Sequence, residues 1–132
     1  ADGAGGAYVA WRDRGADPHG DIRLQRLGAD GALAAGRPAG GLAVCALPGG
    51  ARDLALLPRP AGSCYVLWLD LRTGAANRDL YLTRVQSDGG IAPGWPANGL
   101  MVSSPTYDEW RPRLASDGGG GVYVAWELIF NS

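Results

Sequence analysis

Three phrases in this chain are copies of one another, and nothing else in the sequence constrains the fold as tightly. Gly121-Val122-Tyr123-Val124-Ala125-Trp126, behind the run Asp117-Gly118-Gly119-Gly120, restates Asp2-Gly3-Ala4-Gly5-Gly6-Ala7-Tyr8-Val9-Ala10-Trp11. Pro60-Ala61-Gly62-Ser63-Cys64-Tyr65-Val66-Leu67-Trp68 is a worn third version. Each reads as a tight glycine turn followed by a strand that ends in Trp. Trp68 and Trp126 are 58 residues apart, and 21–44 aligned with 79–102 at that offset is identical at 12 of 24 positions without a gap. Trp11 and Trp68 are 57 apart, which puts one extra residue in the loop between Trp68 and Asp79. The whole chain is therefore about 2.3 units of one repeat, and a repeat of this length is a single supersecondary unit that needs neighbours to bury its faces.

The unit is built of strands. Residues 7–12, Asp21–Leu27, Leu42–Cys45 and 53–57 alternate or cluster apolar residues between breakers such as Asp30-Gly31, Gly49-Gly50 and 58–62. The second unit repeats them at 64–69, Asp79–Val85 and Leu100–Ser103, with 111–115 leading into a third strand at 122–126. No stretch carries a helix-length period of 3.6. In 64–70, Cys64, Val66 and Trp68 point to one face and Tyr65, Leu67 and Leu69 to the other. Both faces are apolar, as in a sheet covered on both sides. The expected fold is all-β: antiparallel four-stranded blades of the β-propeller kind, as a partial ring or one completed by other copies. The expected divisions are 1–49 (incomplete blade), 50–107 (complete blade) and 108–132 (the start of a third). Because propellers close with about 4 to 8 blades, the chain is expected to be either a piece of a longer array or a protomer that assembles with itself.

Composition adds exclusions. The formal charge is −1 and no basic run exists, which argues against nucleic acid and acidic membrane surfaces as partners. All 12 basic residues are Arg, in a chain with 22 Gly. No apolar run reaches the roughly 18 to 20 residues that cross a bilayer as a helix. Cys45 and Cys64 stand where the other unit has Ser103 and Val122, so neither thiol belongs to the repeat. They are two small buried apolar residues or one disulfide. With His19 the only histidine and no Cys-x-x-Cys, no metal site is expected. No cofactor is expected either.

The units resemble the tandem repeats of large secreted bacterial proteins, which read roughly S-D-G-x-G-G-a-x-x-x-W-x-D-x-R, then D-I-Y-x-Q-R-L-x-x-x-G, then W-x-x-N-G-x-x-V. Ser116-Asp117-Gly118, Gly120, Gly121 and Trp126 match the first part, with Trp68, Asp70 and Arg72 continuing it. Asp21-Ile22-Arg23-Leu24-Gln25-Arg26-Leu27 matches the second, and Trp95, Asn98, Gly99 and Val102 the third. The first unit departs with Arg37 at the position of Trp95, and the third has Glu127-Leu128 after its Trp. The resemblance implies propeller-like blades in an exported protein, extracellular or on the cell surface. It implies no established activity.

Trp11/Asp13 and Trp68/Asp70 read as structural: the Asp opens a loop by bonding its own backbone and the Trp packs between blades. Asp21, Asp79 and Trp126 belong to the same structural set. Ser87-Asp88-Gly89-Gly90 resembles a sialidase-type Asp-box, which is a hairpin device. No D-x-D-x-D-G loop offers calcium its oxygens. The richest stretch that the first unit lacks is Pro105-Thr106-Tyr107-Asp108-Glu109-Trp110-Arg111. Read as an inter-blade loop, it offers Tyr107, Asp108, Trp110 and Arg111 as a ligand site, a sugar stacking on Trp and bonding Asp and Arg. The expected function is a non-catalytic structural and interaction scaffold, with neighbouring blades, further copies, or a glycan or protein ligand as partners. A carbohydrate-binding propeller lectin is the alternative. A sialidase-like glycosidase comes last, because paired carboxylates about 5 to 10 Å apart are needed and Glu109 and Glu127 sit in different contexts.

Overall fold

The computed structural model describes residues 1–15, 20–74, 78–103 and 106–130; His19 and Pro105, both singled out above, lie outside the described residues. The strands are, in order, β1 (Ala7–Asp13), β2 (Asp21–Leu27), β3 (Leu42–Cys45), β4 (Ala51–Pro58), β5 (Cys64–Asp70), β6 (Asp79–Val85), β7 (Leu100–Ser103), β8 (Asp108–Ser116) and β9 (Val122–Ile129). They pair antiparallel in three sheets, β1-β2-β3, β4-β5-β6-β7 and β8-β9. Among the described residues the sheets close into no barrel or ring.

The repeat is carried bond for bond. In the first unit Gly28 donates to Ala32, Gly31 to Gly28, Ala34 to Arg26, Arg37 to Ala34 and Gly41 to Pro38. In the second, Gln86, Gly89, Ala92, Trp95 and Gly99 donate to Gly90, Gln86, Arg84, Ala92 and Pro96, every pair displaced by one period. The three glycine turns close alike, with Asp2, Arg59 and Asp117 donating their backbone N–H to Gly6, Ser63 and Gly121. At two of them the Asp carboxylate also caps the turn, Asp2 accepting from Ala4 and Gly6, and Asp117 from Gly119 and Gly121. Arg59 has no such oxygen, so the worn turn keeps its shape from backbone bonds and from the left-handed Ala61 and Gly62.

The middle sheet is covered on both sides. Cys64, Val66 and Trp68 of β5, with Tyr81 and Val85 of β6, pack on Tyr8, Ile22, Leu24, Val44 and Cys45 of the first sheet. Tyr65, Leu67 and Leu69, with Leu80 and Leu82, pack on Leu114, Val122, Val124 and Trp126 of the third. All seven residues of β5 are buried. Each large apolar side chain so buried contributes about 1.5–3 kcal/mol, which makes stacking of units the main source of stability. Cys45 and Cys64 are both free thiols inside this core.

Two expectations are corrected. The stretch from Asp108 onward is strand, not loop: β8 pairs Asp108 with Ile129, Glu109 with Leu128 and Trp110 with Glu127. Likewise β4 starts at Ala51 rather than 53. Each of these strands carries a bulge, between Arg52 and Ala55 and between Trp110 and Arg113. The bulged residues Asp53 (φ 48°) and Arg111 (φ 50°) are in the left-handed region. One residue slipped per strand lets charged side chains sit in a strand without entering the core.

Candidate functional site

Three arrangements bring polar groups together, and the first two are built from the repeat. The first surrounds Asp70. Its carboxylate accepts from the Trp68 indole N–H (2.8 Å), the Arg72 backbone N–H (2.8 Å) and the Arg72 guanidinium (Nε 2.8 Å, Nη2 2.5 Å). Arg72 continues to the Asn98 carbonyl at 2.9 Å and stacks its guanidinium over Tyr81 at 3.8 Å. Trp68 is fully buried beside Tyr81 and sets the edge of its ring against Gly99. A carboxylate engaged by this many donors has no free lone pair for proton transfer; it pins the Trp and the loop. Asp13 does a weaker version, accepting from the Gly15 N–H at 2.9 Å and pairing with Arg23 at 3.5 Å, which also reaches Asp21. In the second unit Tyr81 replaces Arg23, and the cation arrives from the loop instead as Arg72.

The second arrangement joins successive units. The Tyr8 hydroxyl donates to the Gly62 carbonyl, and one period later the Tyr65 hydroxyl donates to the Gly120 carbonyl at 3.0 Å. Arg26 and Arg37 lie over the Tyr8 ring, at 5.6 and 5.9 Å. Tyr65 meets Arg84 at 5.8 Å and Trp95 edge-on at 5.8 Å. Arg37 therefore fills the slot of Trp95, and its guanidinium also donates to the Gln86 carbonyl at 3.2 Å. Sequence reasoning missed this joint. The signal was available, since Tyr precedes each repeat Trp at a fixed spacing, but its acceptor lies in the next unit.

The third arrangement is the stretch proposed to bind a ligand. Its four residues divide into three groups. Tyr107 packs on Phe130 with ring centres 4.6 Å apart. Arg78 pairs with Asp108 at 3.4 Å and lies over the Trp110 ring at 4.1 Å. Arg111 pairs with Glu127 at 3.3 Å in solvent. Trp110 and Arg111 do share one groove of ≈ 400 Å³, whose other walls are Asp53, Leu54, Pro112 and Arg113, so the two bulges lie side by side. Glu109, between Asp108 and Trp110 in sequence, faces the opposite way: it is fully buried against the middle sheet. Among the described residues no donor reaches either of its carboxylate oxygens in hydrogen-bond geometry. Burial raises its pKa and the charge of Asp79 adds to the rise, while Ser103 and the Leu80 backbone offset part of it.

Asp79 is fully buried and accepts from the Thr73 hydroxyl at 2.6 Å. Among the described residues no three His, Cys, Asp or Glu side chains converge to hold a metal ion. Trp126, the third repeat Trp, is half-buried and packs its inner side on the middle sheet. No family model, curated protein or solved structure matches the chain.

Proposed function

We propose that this chain is a non-catalytic repeat module of β-propeller type, whose stacked blade-like units serve as a scaffold and bind through the sheet faces and loops they leave uncovered. The observation that carries the reading is the middle sheet. Copies of the same unit cover it on both faces, and both joints use the same Tyr-to-Gly hydrogen bond. Sheets that stack face to face with small rotations are the construction unit of propellers. The acidic groups favour a scaffold over a hydrolase: Asp70 is saturated with donors, Glu109 is sealed, and Glu127 is paired in solvent. An extracellular setting follows from the sequence resemblance alone.

The test is an array of about six tandem copies of unit 50–107 in one polypeptide. The reading expects a compact disc in small-angle scattering. An extended rod that lengthens in proportion to copy number refutes it.

The groove at the two bulges supports a second reading, a carbohydrate-binding module. It sets the Trp110 ring beside Arg111, Arg113 and Asp53. Trp110→Ala should then abolish glycan-array binding while leaving the fold intact, and Tyr107→Ala, outside the groove, should not. Equal binding by the Trp110→Ala variant excludes this site.

A further inference from the structure

The two joints inside the chain specify a third. In each, a Tyr on the face toward the following unit donates to the carbonyl of a left-handed glycine in that unit's turn, across 54 residues for Tyr8 and Gly62 and 55 for Tyr65 and Gly120. Tyr123 continues the donor series. It is 67% exposed, and no acceptor meets its hydroxyl among the described residues. Gly5 continues the acceptor series at the other end. It is exposed, it has φ 87°, matching Gly62 at 78°, and its carbonyl accepts no bond among those described. One chain thus carries an open donor at one end and an open acceptor of the same joint at the other.

The surfaces around them match as well. Beside Gly5, the uncovered face of the first sheet presents Val9, Trp11 and Leu33. Their counterparts one unit on, Val66, Trp68 and Ile91, are packed against the preceding sheet. Beside Tyr123, the uncovered face of the third sheet presents Ala125, Glu127 and Ile129, with Phe130 at its end. The counterparts of Tyr123 and Ala125 are Tyr65 and Leu67, both buried under the following sheet. Each free face therefore carries part of an interface that the chain already makes twice; among the described residues the first sheet has no counterpart of β4 and β8, and the third has none of β6 and β7.

We propose that a second copy of this chain covers these faces head to tail, with the Tyr123 hydroxyl of one copy donating to the Gly5 carbonyl of the next. The proposal rests on the blade reading and names the partner of its uncovered faces. The contact is heterologous, so repeated addition closes a ring if the rotation per copy divides a full turn and grows a filament if it does not.

Light scattering on the eluting peak of a size-exclusion column tests the assignment with four samples. Wild type should have a mass above one copy. Tyr123→Arg blocks the donor face and Val9→Arg blocks the acceptor face, and each alone should be a monomer. Mixed in equal amounts, they should form a one-to-one dimer, because each retains the half the other lacks. Near-ultraviolet circular dichroism checks that each is folded. Leu33→Arg replaces Val9→Arg if the latter is not. A wild type that is monomeric at about 1 mM, where even weak specific contacts form, overturns the proposal. So does a mixture that stays monomeric, or a Tyr123→Arg variant that still assembles alone. A folded wild-type monomer would leave the blade reading standing, since that is decided by the shape of the tandem array. It would make the occupant a further repeat of a single polypeptide.

Discussion

Replacing Gly99 with alanine tests the seat of the central tryptophan. Gly99 has φ 88°, and a Cβ built there would collide with the edge of the Trp68 ring, 2.7 Å from Cζ2 and closer still to Cη2. Gly94 has nearly the same backbone, φ 82°, and a Cβ there meets nothing within 4 Å. The left-handed conformation costs alanine about 1–2 kcal/mol at either position. At Gly99 the indole must also move, and it is held by Asp70 at 2.8 Å and stacked on Tyr81. Forcing a packed side chain aside adds about 1–3 kcal/mol. Gly99→Ala should therefore lose about 2–5 kcal/mol and Gly94→Ala about 1–2 kcal/mol. Urea unfolding followed by tryptophan fluorescence reads the difference as a midpoint separation of about 1 M. The Phe side chain lacks the atoms that collide, so in a Trp68→Phe background the two alanine variants should converge. Equal losses in the wild-type background would refute the seating of Trp68 on Gly99.

Three further outcomes are expected. Glu109 keeps its proton to higher pH when folded than when unfolded, where its pKa is about 4.5. The stability of its protonated form is complete below that value and lost as pH rises through the folded pKa. The melting temperature of Glu109→Gln relative to wild type should therefore climb between pH 4 and pH 8, and a flat difference would show that Glu109 titrates normally. Tyr65→Phe removes the bond to Gly120 and should cost about 1 kcal/mol, with faster amide exchange in the 117–121 turn. Tyr123→Phe, in a monomeric background, should cost nothing, and an equal loss there would show that the hydroxyl bond does not hold the joint. Burial raises the Cys45 thiol and pushes Cys64 up to about 12. Neither should react with a thiol reagent until urea unfolds the chain, and prompt reaction at neutral pH would contradict the packed first joint.

Strands with one strong apolar pattern were legible to the residue. Asp21–Leu27, Leu42–Cys45, Asp79–Val85 and Leu100–Ser103 have the bounds that the repeat and its turn residues imply. The assignment of β5's two faces held for the same reason, since alternation along a pleated strand leaves no other choice. The reading failed where local chemistry resembled a turn. Asp108, Glu109 and Pro112 disfavour strands, and tertiary pairing with β9 overrode them by way of a bulge. The 58-residue offset already set Glu109 over Ala51, and a strand assigned at either position implies one at the other. The candidate site was legible as residue types but not as geometry. Arg78 and Asp53, which meet Trp110 and Arg111, lie far away in sequence and carry no local mark. Arg37 was visible as an exception to the repeat; that a guanidinium could take the place of an indole ring against Tyr8 emerges only from the packing.

The Tyr-to-Gly joints have a consequence for the order of assembly in time. Each spans about one period, 54 and 55 residues. The loop entropy that must be overcome to form a joint depends on that span and not on the length of the array. Adding units therefore leaves the folding time of each joint unchanged, whereas the slow step of most β proteins lengthens as their pairings become more distant. The acceptor glycine always follows its donor in the chain, so a finished sheet waits only for the next turn to be synthesised. During translation the array can set one sheet at a time, from the N-terminus onward, each new face waiting only for the unit that follows.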